Sequence, residues 1–236
     1  VSSTKLGSYI FPTGSTRRLQ LRRLRMTFKA LGIALCATLT FFLSVASAQA
    51  RTLNIVAFGD SLTAGYQLPP DEAFPARLEV LAKSKGLDVA IANAGVSGDT
   101  TADGLSRLDW SIPDGTDGVI LELGANDALR GLSPEESAKN LDAMLVRLKE
   151  RNIPVLLAGI LAPPNMGSDY EARFNPIYAE LATRHDAILY PFFLDGVVLE
   201  QSLKLEDGMH PNGAGTQLMA EKFLPVFETF LQSLNQ

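Results

Sequence analysis

The sequence predicts an α/β protein, a three-layer α/β/α sandwich with a five-stranded parallel sheet. Three observations predict it. Past residue 50, five short apolar runs bounded by Gly, Pro, Asn or Asp alternate with longer segments at helical spacing. The short runs are nearly continuous rather than alternating, as strands buried on both faces require. No internal repeat, low-complexity linker or shift in composition divides residues 51–236.

The elements follow in order. The run 53-LNIVAF-58 is the first strand, and it stops at Gly59-Asp60-Ser61, with Gly65 closing the turn. A serine placed there is either a cap for the next helix or a nucleophile. A helix over about 74–85 leads to the strand 88-DVAIAN-93, which breaks off in 93-NAGVSGDT-100. A helix over about 101–109 leads to 118-GVILELG-124, which ends in 124-GAND-127. The next helix, 133–152, carries its own start signal: Ser133 as N-cap, Pro134 at the first helical position and Glu136 three residues after the cap. Leu141, Met144, Leu145 and Leu148 then make one apolar stripe. The strand 154-PVLLAGI-160, a helix over about 171–185, the strand 187-AILY-190 and a helix over about 213–234 complete the fold. Leu218, Met219, Phe223, Phe227 and Phe230 share one face of the last helix. Ligand crevices of parallel sheets lie beyond the carboxyl ends of the strands. The polar ends of the first three strands therefore meet on one rim.

The first fifty residues have a different character. Basic 17-RRLQLRRLRMTFKA-30, apolar 31-LGIALCATLTFFLSVA-46 and small 46-ASAQA-50 follow in the order of a secretory signal, with Met26 as start and cleavage after Ala50. The apolar run is sixteen residues long, short of the roughly 20 that a membrane span needs. A periplasmic or secreted protein without stable membrane insertion is expected; a retained anchor is the alternative. Of 21 Lys and Arg, seven precede residue 50, leaving 14 against 26 Asp and Glu, a net −12 for the remainder. That surface repels nucleic acid and anionic headgroups. Cys36, the one cysteine, lies in the apolar leader. Residues 51–236 thus have no thiol for a disulfide, a cysteine nucleophile or a thiolate metal site, and two histidines make a multi-histidine metal site improbable.

Were Ser61 a nucleophile, it would need a base and a group to orient that base. Of the two histidines, His185 in 181-LATRHDA-187 reads as a surface helix end favoured by the helix dipole. His210 lies in 205-LEDGMHPNGAG-215, three residues after Asp207. A carboxylate so close in a tight turn can accept the Nδ1 proton and leave Nε2 free to take one. Acyl transfer also needs donors for the oxyanion. Gly98 could present a backbone N–H, and Asn126 a side-chain amide; taken singly, each reads first as a turn residue.

The set Gly59-Asp60-Ser61-Leu62, Gly98, Gly124-x-Asn126-Asp127 and Asp207-x-x-His210 resembles the GDSL or SGNH hydrolase family in order and context, with no catalytic position substituted. The resemblance implies the SGNH form of a flavodoxin-like fold over residues 51–236 and an esterase or thioesterase of the thioesterase, lysophospholipase or arylesterase kind. It implies Ser61 as nucleophile, His210 as base and then acid, Asp207 as orienting carboxylate, and an oxyanion hole of the Ser61 and Gly98 N–H groups with the Asn126 side chain. No cofactor and no metal are implied; the substrate is a small acyl ester or thioester. The serine does not sit in the G-x-S-x-G elbow of the α/β-hydrolases. In 161-LAPPNMGSDY-170, Leu161, Pro163, Asn165 and Met166 are either a plain connection or one wall of an acyl pocket, as the corresponding loop is in the family. A carbohydrate O-deacetylase of the same superfamily and a non-catalytic lipid-binding protein are the alternatives; one tryptophan, Trp110, offers little for stacking on sugars.

Overall fold

The computed structural model describes Val1 and residues 51–234, so the expected leader lies outside the described residues. Five strands form one parallel sheet: β1 (Leu53–Gly59), β2 (Val89–Gly95), β3 (Gly118–Glu122), β4 (Val155–Ala158) and β5 (Ile188–Tyr190), in the order β2-β1-β3-β4-β5. The expected third and fourth strands ran on to residues 124 and 160. Both stop two residues sooner, and the polar rim residues leave the sheet at that point.

The register aligns Leu53 with Val89 and Gly59 with Gly95 on one side of β1, and Ile55 with Gly118 and Phe58 with Leu121 on the other. The chain runs outward from β1 to β2 and then returns to place β3 on β1's other side. This reversal is the switch point at which parallel sheets open a crevice. β3 is buried along its whole length, and it ends in a buried glutamate, Glu122.

Helices cover both faces. α1 (Ser61–Ala64) is a single turn; α2 (Phe74–Ser84) packs against the long closing helix α8 (Gly213–Ser233). On the other face α3 (Thr101–Ser111) packs on α5 (Pro134–Glu150), which also meets α6 (Ser168–Phe174) and α7 (Ile177–His185). A short α4 (Ala125–Arg130) follows β3 directly. The helix expected over 171–185 is therefore two. Pro176, which has no N–H to give the preceding turn, stands between them.

α5 starts as expected, with Ser133 Oγ accepting the Glu136 N–H at 3.4 Å and its Leu141, Met144, Leu145 and Leu148 stripe buried. On α8, Met219, Phe223, Phe227 and Phe230 are buried while Leu218 sits at the edge of the core. Phe223 meets Phe74 edge-on at 5.2 Å and Tyr190 at 4.7 Å, joining α2, α8 and β5. That cluster seats α8, whose first residues adjoin the turn carrying His210.

Candidate active site

The question posed by Ser61 is resolved by its neighbour. Asp60, not Ser61, caps α1: its side chain accepts the Leu62 N–H at 3.0 Å, while Ser61 is the first helical residue. The Ser61 hydroxyl is thus released from capping, and it lies 2.9 Å from His210 Nε2. Gly65 ends the turn at φ 77, a left-handed conformation open to glycine, with Ala73 packed against the face where a side chain would stand.

His210 is held from several directions. Its Nδ1 is 2.7 Å from Asp207 Oδ2, and Asp207 Oδ1 accepts the N–H groups of Met209 (2.8 Å) and of His210 itself (3.0 Å). The turn closes by Leu205 N–H donating to the His210 carbonyl at 2.8 Å, and Asn212 both caps α8 and donates to the Ser202 carbonyl at 2.9 Å. The Tyr66 ring lies 4.4 Å from the imidazole, centre to centre. Desolvation pushes the Asp207 carboxyl up, but the two N–H donors and the imidazole outweigh it and bring its pKa down to about 2. Asp207 is therefore a carboxylate throughout the neutral range, ready to accept the Nδ1 proton and to face an imidazolium.

Gly98 takes φ 90 in the loop after β2, a conformation that favours glycine. Among the described residues, no acceptor takes the N–H of Gly98 or of Ser61. Asn126 is the second residue of α4, and its Nδ2 donates to Asp60 Oδ2 (3.1 Å) and to the Asp99 carbonyl (3.0 Å). Two acceptors on the same side of the amide select the orientation that presents nitrogen rather than oxygen. Both Nδ2 hydrogens are engaged in this state, so a substrate oxygen would have to share one of them.

Three positioning groups escaped the sequence reading. Arg107, buried on α3, donates to Asp99 Oδ2 (2.5 Å), the Ala94 carbonyl (2.9 Å) and the Gly59 carbonyl (2.8 Å), and its guanidinium sits 4.0 Å from the centre of the Phe58 ring. It ties the ends of β1 and β2 to the loop that carries Gly98. Asp60 and Glu122 are both fully buried. Glu122 Oε2 accepts from Thr63 Oγ1 (2.7 Å) and the Asp60 N–H (3.3 Å). Burial, then the charge of Asp60, raises the Glu122 carboxyl well above the ordinary range; burial raises Asp60 to about 6 against the pull of the Leu62 N–H, the Asn126 amide and His210.

The structure brings Ser61, Asp207 and His210 together, with Asn126 and the Gly98 loop joined to them through Asp60 and Asp99. Leu161, Pro163, Asn165 and Met166 lie beyond β4, two strands from β1 on the same edge. Leu161 and Asn165 are exposed, whereas Pro163 and Met166 are half-buried. His185 differs from the expected exposed helix end. Its side chain is only 10 % exposed, with Nε2 2.7 Å from Asp142 Oδ1, and it lines a cavity of about 380 Å³ at the amino ends of β4 and β5. That cavity is on the edge of the sheet opposite Ser61. Among the described residues, no group of three or more His, Cys, Asp or Glu side chains could hold a metal ion, and no helix is long and apolar enough to cross a membrane.

Residues 57–218 match the GDSL-like Lipase/Acylhydrolase family. The chain is 38 % identical over 190 residues to an arylesterase of Vibrio mimicus, covering 80 % of this chain and 94 % of that protein. It is also 38 % identical over 180 residues to thioesterase 1/protease 1/lysophospholipase L1 of Escherichia coli K12, covering 76 % and 84 %. Among solved structures it resembles AlinE4, an SGNH-hydrolase family esterase, at 44 % identity and a TM-score of 0.65, covering 78 % of this chain and 99 % of that one.

Proposed function

This chain belongs to the GDSL-like lipase/acylhydrolase family, and from that premise we propose that Ser61 is its nucleophile, His210 its general base and then acid, and Asp207 the orienting carboxylate. The protein is a serine esterase and thioesterase, hydrolysing carboxylic esters as its arylesterase and thioesterase/lysophospholipase relatives do by name. The relatives favour neither the carbohydrate O-deacetylase nor the lipid-binding alternative.

The observation that carries the assignment is the continuous chain from Ser61 Oγ through His210 Nε2 (2.9 Å) and Nδ1 to Asp207 Oδ2 (2.7 Å). With Nδ1–H held by a carboxylate, Nε2 has the lone pair that takes the serine proton as Oγ bonds to the acyl carbon. The oxyanion then forms against the N–H groups of Ser61 and Gly98 and the Asn126 amide. Collapse of this intermediate breaks the bond to the alcohol or thiol, which leaves with the proton from Nε2. Water attacks the acyl-enzyme by the same route, its proton passing to Nε2 and then back to Ser61 Oγ. Each step uses the chain's own groups.

Leu161, Pro163, Asn165 and Met166 form one wall of the acyl site in this reading. Its support is an apolar rim: Val96, Leu129, Leu132 and Leu161 are all exposed in segments that follow the carboxyl ends of β2, β3 and β4. Hydrolysis of p-nitrophenyl acetate, butyrate and octanoate tests both assignments. Ser61→Ala is expected to lower kcat by about 10⁴-fold or more, and Leu161→Ser to weaken octanoate more than acetate. Unchanged turnover in the first variant removes the nucleophile; an equal effect on all three esters in the second removes the wall.

Residues 1–50 are proposed to be an export leader, with residues 51–236 as the hydrolase domain in the periplasm or outside the cell. The support is the basic, apolar and small-residue order ending at Ala50. N-terminal sequencing of the native protein should begin at Arg51, and a start within 1–46 rules out this cleavage.

A further inference from the structure

We propose that Glu122 is a positioning residue of the oxyanion hole, holding a proton that it shares with Asp60 so that Asp60 remains the acceptor that orients Asn126. The inference rests on the assignment of Asn126 above, and it starts from an imbalance inside the fold. Glu122 is 0 % exposed at the end of β3, and its two oxygens are treated unequally. Oε2 accepts from Thr63 Oγ1 and from the Asp60 N–H, while Oε1 is buried and, among the described residues, has no hydrogen-bond donor. An ionised carboxylate has no reason to leave one oxygen dry and bare. A carboxylic acid resolves this, because its O–H supplies a donor in place of the missing acceptor contact.

The neighbour able to take that donor is Asp60, itself 0 % exposed and joined to Glu122 already by its own N–H, which donates to Oε2 at 3.3 Å. Two like charges buried side by side repel, so one of the pair keeps a proton. Which one is decided by their partners. Asp60 Oδ1 accepts from the Leu62 N–H and Oδ2 from Asn126 Nδ2. These donors favour the charged form of Asp60, as does nearby His210. Glu122 has as many donors, but both fall on Oε2 and Oε1 has none, and burial together with the charge of Asp60 raises it well above the ordinary range. Among the described residues no cation pairs with it: Arg107 on α3 directs its guanidinium to the Gly59 and Ala94 carbonyls and Asp99. Tyr178 on α7, also close enough to sense Glu122, donates its hydroxyl to the Leu123 carbonyl.

The consequence for catalysis follows through Asp60. As a carboxylate it accepts only, so the Asn126 amide turns its nitrogen inward. Were Glu122 ionised as well, repulsion would displace Asp60 and with it both α1's cap and the Asn126 donor. The pair is out of solvent and acts by setting where the donor points.

Glu122→Gln retains a neutral donor and an acceptor at the same reach, whereas Glu122→Leu removes both. Glu122→Gln is expected to keep kcat on p-nitrophenyl butyrate within about threefold of wild type, and Glu122→Leu to lower kcat about tenfold or more with KM little changed. At neutral pH the infrared spectrum of the wild-type protein should contain a carboxylic-acid carbonyl stretch that is absent from Glu122→Gln. Absence of that band from the wild type overturns the shared proton, whether or not Glu122→Leu folds. A folded Glu122→Leu with wild-type kcat, or a Glu122→Gln as impaired as Glu122→Leu, overturns the positioning role. The band is read without turnover, and Ser61→Ala tests the nucleophile separately, so failure of the proton and failure of the hydrolase mechanism are distinguishable.

Discussion

At the scale of single residues, adjacent positions are used differently: Asp60 caps the helix, which leaves the Ser61 hydroxyl free for the role proposed for it. The division shows why Gly-Asp-Ser alone was ambiguous, since Ser and Asp are both good caps and only the geometry says which one is used. Asp207 was legible for a different reason. Histidine is scarce in this chain, and a carboxylate three residues before His210 in a tight turn stands close enough to accept its Nδ1 proton. Asp207→Asn should lower kcat by about 10³- to 10⁴-fold while the circular dichroism spectrum is unchanged, because the amide favours the wrong imidazole tautomer. The same variant has a signature in stability. The folded pKa of Asp207, about 2, is depressed below its unfolded value of about 3.9. Its contribution is therefore present above about pH 4 and lost as pH falls through about 2. The difference in Tm between wild type and Asp207→Asn should shrink over that interval in a thermal melt series. A constant difference would show that the carboxylate is not what the turn uses.

Among the elements, the loops after β1, β2 and β3 act as one unit because Arg107 on α3 ties the first two together and Asn126 on α4 bonds to both. The expected strands survive in number and order, but β3 and β4 end two residues sooner than expected, and the short helices α1 and α4 were not expected. These helices are too short, at four and six residues, to leave a periodic signal, and their stability comes from tertiary contacts. The split of α6 from α7 has its signal in the sequence, in Pro176. Arg107→Met leaves Asp99 buried without its cation, and it should cost about 3–5 kcal/mol in urea unfolding. Asp99→Asn in the same chain should restore part of that loss. Full additivity of the two substitutions would argue against the pair as the link.

Taken as a whole, the molecule illustrates how far local pattern reaches. The alternation of apolar runs and amphipathic segments determined the parallel α/β architecture, because burial on both faces and helical periodicity are written in consecutive residues. It also determined the edge on which chemistry would occur, since polar residues at strand ends must share one rim. The candidate triad was visible because its members are of scarce or distinctive type. The tertiary structure alone decided what surrounds it. Glu122 reads as the one charged residue in an apolar strand and Arg107 as one more helix arginine; their meaning comes from Asp60 and Gly59, 62 and 48 residues away along the chain. His185 likewise turned from a surface imidazole into a partner of Asp142 only when α7 met α5. Protonation, donor orientation and burial depend on neighbours brought in by folding, and no spacing along a single chain encodes that distance.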